Sequence, residues 1–188
     1  MEEKKQPLLE IEDLSVTFKM YDGGALEQKQ LQVISSLSVT VYPGEILAIA
    51  GSSGSGKSLL ASAILGILPG NAEVEGRMIY EGKPMTPDMQ KKLRGSEIAL
   101  VPQSIAYLDP LMKIGKQVDG HKKPYPTQKR KSLFKRFGLP EKTPELYPFQ
   151  LSGGMARRVL VSTALVESSR IRIFGFLSRA RAMHSLCC

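Results

Sequence analysis

Apolar residues up to position 102, in roughly the first half of the chain, fall into short runs of two kinds. In Leu8–Phe18, Leu31–Val41 and Ala72–Tyr80 they mix with polar and β-branched residues, which predicts strands with one solvated face. Ile46–Ala50 and Ile98–Pro102 are short and continuously apolar, as expected of strands buried on both faces. Strands therefore dominate the structure predicted for this half.

Helical patterns appear at three places. Lys57–Leu68 is rich in Ala and Leu, and Ser152–Glu167 reads as a long helix with Ser152 in the capping position. Between them, residues 104–150 carry many prolines and lysines and short helical stretches such as Gln128–Phe137. We interpret 104–150 as a mostly helical insertion into a strand-rich core.

Composition narrows the class of protein. The chain has 188 residues, of which 42% are hydrophobic, and this suits one domain with or without an inserted subdomain. The formal net charge is +8, but the part from Arg170 onward contains arginines and no acid, so the excess is uneven. A compact basic face is not required, and we predict no nucleic-acid partner.

Cysteine usage and hydropathy indicate a compartment. Cys187 and Cys188 are adjacent, a spacing that rarely allows a disulfide, which suits a reducing environment. His121 and His184 lack metal-ligand spacing. The charged start of the chain leads into no apolar run, and no stretch of about 18 apolar residues follows. We therefore expect a soluble, cytoplasmic protein that reaches a membrane only by docking.

A glycine-rich loop carries the first chemical signal. Residues 51–58 read Gly-Ser-Ser-Gly-Ser-Gly-Lys-Ser and fit the phosphate-loop pattern. Glycines let the backbone turn its N–H groups inward, Lys57 adds a charge for the β- and γ-phosphates, and the Ser58 hydroxyl can ligate Mg²⁺. A plain Gly/Ser linker is the alternative, which the flanking strand and helix disfavour. The predicted phosphate contacts are Gly51, Ser52, Ser53, Gly54, Ser55, Gly56, Lys57 and Ser58.

A second motif, Leu151-Ser152-Gly153-Gly154-Met155, opens the long helix and is followed by Arg158. Alone, it could be a serine-capped helix after a turn. Together with the phosphate loop it resembles the signature motif of ATP-binding-cassette (ABC) transporter subunits. That resemblance implies a head-to-tail dimer, in which these five signature residues cover the γ-phosphate held by the opposing subunit.

The resemblance also implies a fold. It is the α/β fold of the P-loop NTPases in its ABC nucleotide-binding form, with a RecA-like core, an antiparallel β subdomain and an inserted helical subdomain. We expect an ATP-binding core at 1–103, a helical subdomain at 104–155, a return helix at 156–169 and an atypical basic tail at 170–188.

Two further positions match the family pattern. Gln103 resembles the Q-loop glutamine that reaches Mg²⁺ and positions the attacking water, although a loop glutamine is the simpler alternative. Phe18 sits where the family places an aromatic ring against adenine, with a core role and Tyr21 as the competing readings. The implied cofactors are ATP and Mg²⁺, with Ser58 and Gln103 as the metal-contacting residues.

Three segments resemble the oligopeptide, dipeptide and nickel importers. They are Gly66–Pro69, Leu108–Pro110 and Tyr147–Gln150. The implied partners are membrane permease subunits, a second ATP-binding subunit that is identical or different, and, indirectly, an extracellular substrate-binding protein. The implied location is the inner face of the plasma membrane. The choice between peptide and nickel is made outside this subunit.

The resemblance covers residues 7–169 and then stops. The family has an Asp-Glu pair after the strand that follows the signature helix, the Asp supporting Mg²⁺ and the Glu polarising the attacking water. The pair would fall near positions 175 and 176, where this chain has Gly175 and Phe176. An incomplete C-terminus, produced by truncation or a frameshift, is our hypothesis, and a divergent intact protein is the alternative.

Three functions remain open from the sequence. The first is an ATPase subunit that drives import, and the second is a nucleotide-binding remnant that does not hydrolyse ATP. The third is a DNA-repair or chromosome-associated ATPase, which shares both motifs but usually carries long coiled coils between them. No sustained heptads occur between the motifs here, so this third function ranks last.

Overall fold

The computed structural model describes residues 6–21, 28–52, 54–102, 104–120, 127–167 and 172–175. The chain divides into two compact units, the first ending at Lys92 and the second beginning at Leu93. Within these described ranges, no helix combines the length and the hydropathy that a membrane crossing requires.

The first unit is built on an antiparallel sheet of four strands in the order β2-β1-β3-β4. The strands are β1 (Leu9–Tyr21), β2 (Gln28–Val41), β3 (Ala72–Tyr80) and β4 (Lys83–Pro84). Two helices accompany them, α1 (Lys57–Leu65) and α2 (Pro87–Leu93). The antiparallel β subdomain implied by the resemblance is confirmed.

The central strand β1 contains a bulge around Asp13, and its pairing with β2 shifts at two further points. Asp13 has φ 50°, and the pairing with both neighbouring strands shifts around it. On β3, Gly76 has φ 102°, and a Cβ built there would lie 2.6 Å from the Asp13 carbonyl oxygen. One extra residue at the bulge keeps the apolar side chains on a single buried face. Those side chains are Leu9, Ile11, Leu14 and Val16.

The second unit contains a helical layer and two paired strands. Its elements are β5 (Ile98–Val101), α3 (Ile114–Asp119), α4 (Thr127–Arg136), α5 (Gly153–Glu167) and β6 (Arg172–Gly175). Single 3-10 turns occur at Ile105–Tyr107, Thr143–Glu145 and Pro148–Gln150. The helices share one apolar core, which confirms the helical character predicted for 104–150. That core contains Leu108, Ile114, Val118, Phe134, Leu139, Ala156, Val159, Leu160 and Val166.

Strand β6 follows the signature helix and pairs in parallel with β5. The register runs from Ile98 opposite Arg172 to Val101 opposite Gly175. Gly175 is therefore the last residue of a parallel strand, at the carboxyl edge where α/β folds place their chemistry.

The prediction of a buried strand at Ile46–Ala50 is wrong. These residues form no strand, and the Ile46 side chain is 75% exposed. A strand buried on both faces needs neighbours that pair with its backbone on each side. None of the described strands pairs with this run, so its apolar sequence alone does not produce a strand.

Helix α1 ends three residues earlier than the pattern predicted. Gly66 adopts φ 62° and donates its N–H to Ala63 O, while Ile67 N–H reaches Ser62 O, which closes the helix end. The buried Gln90 amide adds hydrogen bonds of 2.9 and 3.2 Å to Ala63 O and Ile64 O. The carbonyl groups at this helix end are thus satisfied partly by the following backbone and partly by the Gln90 side chain of α2.

We predict that Gly76→Ala lowers the free energy of unfolding by about 3 kcal/mol, because the new methyl group would clash with the backbone of β1. The matched control is Gly82→Ala, at φ 74° with no atom within 4 Å of the added Cβ. This control introduces a side chain at a positive φ without a clash, and we expect it to lower the free energy of unfolding by about 1 kcal/mol. Urea unfolding measures both, and equal losses would contradict the bulge packing.

Candidate nucleotide-binding site

The loop Gly51–Ser58 leads directly into helix α1. Gly54 and Gly56 have φ 82° and 81°, a conformation that side-chain-bearing residues rarely adopt. The Ser55 N–H donates to Ser52 O at 3.2 Å, which closes a tight turn within the loop. The glycine positions of the phosphate-loop pattern therefore coincide with the backbone conformations that need glycine.

The loop is held against the sheet at its C-terminal end. A Cβ added to the buried Gly56 would lie 3.1 Å from Ile34 Cγ1 and 3.3 Å from Val33 O, both on β2. Helix α1 is anchored by Leu60, Ala61 and Ile64, which are almost fully buried. The first-turn N–H groups of α1 lack partners within the helix and carry a partial positive charge, which favours an anion at this end.

Lys57 lies at the centre of the loop. Its Nζ donates to Gly51 O at 2.9 Å, to Ser52 O at 2.5 Å and to Ser55 Oγ at 3.0 Å. The ammonium group thus rests on oxygens of the loop it belongs to. A triphosphate presents oxygens with more negative charge, and the half-buried Lys57 can exchange its carbonyl partners for them.

Ser58 is exposed in the first turn of α1. In the part of the chain that the structure describes, no group of three or more His, Cys, Asp or Glu residues could hold a metal ion. Mg²⁺ usually keeps several waters and is bound through few protein groups and the phosphates of the substrate. The exposed Ser58 hydroxyl is accessible to such an ion, and its role as an Mg²⁺ ligand remains a prediction.

Of three other predicted contacts, the structure describes one and leaves two outside the described residues. Phe18 lies half-buried in β1, opposite Leu31 on β2 and Ala72 on β3, so part of its ring faces solvent. Its stacking on adenine remains a prediction. Ser53 and Gln103 lie outside the described residues, and their roles also remain predictions.

The signature motif forms the N-terminal end of helix α5. Ser152 Oγ accepts the Met155 N–H at 3.3 Å, so the predicted serine cap is confirmed. Ser152, Gly153 and Gly154 are exposed, and no atom lies within 4 Å of a Cβ built on either glycine. The helix end therefore presents N–H donors on an open surface to which an anion can come close.

The outer residues of the motif have a different role. Leu151 and Met155 are half-buried and pack against the apolar core of the second unit. Within α5, Ala156, Val159 and Leu160 belong to that core. The motif is thus anchored on both sides of the exposed Ser152–Gly154 segment, by Leu151 before it and by Met155 after it.

Sequence reasoning missed an exposed apolar turn in the second unit. The Gln117 side chain accepts the Asp109 N–H at 2.9 Å and donates to Asp109 O and Met112 O at 2.9 and 2.7 Å. Around this turn, Leu111 is 88% exposed and Tyr107 is 74% exposed. The exposed residues flank the segment Leu108–Pro110, which carries part of the family resemblance.

We predict that Lys57→Ala raises the Kd for ATP about a hundredfold or more, because the loop loses its one charged phosphate contact. Lys91→Ala, which removes an exposed lysine of α2, is the control and is expected to leave the Kd unchanged. Filter binding of radiolabelled ATP gives both values. Equal binding by the two variants would show that the nucleotide is held elsewhere.

The comparisons with solved structures agree with the fold described above. The chain is similar to a dimeric ATP-binding cassette, MJ0796, in a post-hydrolysis state bound to ADP and Pi. The TM-score is 0.68 at 24% identity, covering 85% of this chain and 69% of that one. It is also similar to cbiO1 of Clostridium perfringens, part of a transporter complex, with a TM-score of 0.66 at 25% identity, covering 86% and 62%. These likenesses confirm the cassette fold.

The sequence comparisons name the family. The oligopeptide transport ATP-binding protein OppD of Haemophilus influenzae is 35% identical over 180 residues, covering 89% of this chain and 54% of the relative. The dipeptide transport ATP-binding protein DppD of Lactococcus lactis is 32% identical, covering 90% and 51%. The chain thus spans about half the length of these relatives. Residues 34–174 match the model of the ABC transporter family, and the chain belongs to that family.

Proposed function

We propose that this chain is an ATP-binding subunit of a peptide-class ABC importer. Its phosphate loop binds ATP, and its signature helix contacts the nucleotide of a second ATP-binding subunit. The observation that carries this proposal is the pair of glycine-containing motifs, each of which leads into the N-terminus of a helix that is anchored by an apolar face. The names of the relatives favour oligopeptides or dipeptides over nickel as the transported substrate.

We further propose that the chain binds ATP but does not hydrolyse it at the rate of its relatives. Parallel strand β6 ends at Gly175, opposite Val101, where the family resemblance implies an aspartate. From Arg170 to Cys188 the sequence contains no Asp or Glu. Phosphoryl transfer depends on positioning and charge neutralisation, and a carboxylate that orients the attacking water is absent from this segment.

We predict tight ATP binding with turnover at least about 10²-fold slower than that of a full-length OppD-type protein, since a missing general base typically costs that much or more. Phosphate release at saturating ATP and Mg²⁺, with bound ATP measured on the same sample, separates binding from hydrolysis. Lys57→Ala serves as the background control, because it is expected to weaken ATP binding and hydrolysis together. Turnover equal to that of the full-length protein would refute the slow-hydrolysis proposal.

A further part of the proposal concerns the partner at the membrane. The turn held by Gln117 exposes Ile105, Tyr107, Leu111 and Met112 within one short segment. A cluster of exposed apolar and aromatic side chains is typical of a protein-binding surface. We assign this cluster to docking on the permease subunits of the importer. The protein then lies in the cytoplasm, peripheral to the inner face of the plasma membrane.

We predict that Leu111→Asp abolishes copurification with the permease pair of a peptide importer, because it places a charge at the most exposed apolar position of the turn. Binding of ATP is expected to stay unchanged. Ile67→Asp is the control, since Ile67 is an exposed apolar residue outside the turn. Docking that survives Leu111→Asp, or fails equally in Ile67→Asp, would exclude this turn as the permease contact.

A DNA-associated ATPase remains the less supported alternative. The curated relatives matched with high coverage are named for transport, and the signature lies on a short helical insertion. Binding to duplex DNA with a steep dependence on salt would favour this alternative over transport.

A further inference from the structure

We infer that Arg158 is a positioning residue for the exposed signature segment Ser152–Gly154. It fixes the first turn of α5 to the end of helix α4, so that the N–H donors of this segment meet the opposing nucleotide in one orientation. This inference rests on the proposed head-to-tail function. It concerns a residue outside the phosphate loop whose side chain is half-buried at the start of α5.

The geometry joins three backbone carbonyls through one guanidinium group. Arg158 Nε donates to Gly154 O at 3.2 Å, inside the signature itself. Its NH1 group donates to Phe137 O at 2.8 Å and to Gly138 O at 3.3 Å, directly after α4. A side chain four residues after Gly154 therefore links the signature to a second helix.

The charge of Arg158 suits this position. The carbonyl groups at the C-terminal end of a helix carry a partial negative charge, and a cation beside them is favourable. Gly138, at φ 61°, turns the chain there and leaves its carbonyl available to the guanidinium. The planar fork of arginine holds several acceptors in fixed directions, which the point charge of lysine does not do.

Arg158 adds a side-chain restraint to those that the helix and the apolar core already supply. Ala156, Val159 and Leu160 bury one face of α5 in the second unit. Gly153 and Gly154 have no side chains with which to pack, so at these two positions the helical backbone alone holds the chain. The hydrogen bond from Arg158 to Gly154 O adds a second contact there and connects it to the chain after α4.

Mixed pairs of chains give the decisive test, because each site of a head-to-tail dimer combines the loop of one chain with the signature of the other. In the same-chain arrangement, one chain carries Lys57→Ala and Arg158→Ala, and its partner is wild type. The one functional loop then faces the altered signature. In the split arrangement, each chain carries one of the two substitutions, so the functional loop faces an unaltered signature.

Energy transfer between differently labelled chains, with ATP and Mg²⁺, measures only the mixed pairs. We expect the split pair to associate at least about tenfold more tightly than the same-chain pair, because misplaced donors lose charge-assisted hydrogen bonds to the nucleotide. Arg157→Ala in place of Arg158→Ala is the matched control, since Arg157 is the exposed neighbour on α5. With Arg157→Ala, we expect the same-chain pair to associate as tightly as the split pair. With Arg158→Lys in its place, we expect the same-chain pair to stay weak.

A merely structural role for Arg158 gives a different result. Destabilisation of the second unit would weaken the two arrangements equally, and equal affinities would overturn the inference. Full rescue by Arg158→Lys would also overturn it, because the fork would then be unnecessary. If a wild-type chain shows no ATP-dependent association with either another wild-type chain or a Lys57→Ala chain, the head-to-tail function itself fails, and the inference fails with it.

Discussion

Both motifs of this protein depend on one constraint: a helix N-terminus binds phosphate in a fixed place only when buried apolar residues hold the helix. The free N–H groups of a first helical turn favour an anion, but they favour it in a fixed place only if the helix cannot slide or rotate. In α1 that anchor is the buried set that includes Leu60 and Ile64. In α5 it is Val159 and its neighbours in the helical core. The exposed glycines can therefore present their N–H groups to an anion in a fixed place, because apolar residues one or two helical turns later are buried.

Local signals in the sequence were sufficient where structure is decided locally. Strand β3 has the predicted bounds Ala72–Tyr80. The cap at Ser152 and the positive φ angles of Gly54 and Gly56 also follow from residue type and spacing. These features depend on a few consecutive residues, and the same residues are predicted to carry the chemistry of the candidate site. The backbone geometry of the two motifs could therefore be predicted locally, while the ligand contacts of their side chains remain predictions.

Features that depend on distant partners could not be predicted. Ile46–Ala50 has the composition of a buried strand, yet none of the described strands pairs with it. The bulge at Asp13 needs Gly76 on another strand, and the Arg158 clamp needs carbonyls 20 and 21 residues away. A pattern along the chain shows which residues favour burial or hydrogen bonding. It does not show which partner will be present.

Strand β6 shows that strand pairing and catalysis place different demands on the sequence. Parallel pairing with β5 uses backbone groups, so a tail of quite different sequence can still form the strand that follows the signature helix. Catalysis uses side chains, and the strand ends in Gly175 with no carboxylate from Arg170 onward. Binding of ATP depends on the loop and on α1, neither of which needs an acidic residue in this tail. Family membership, established over residues 34–174, therefore supports nucleotide binding more strongly than it supports turnover.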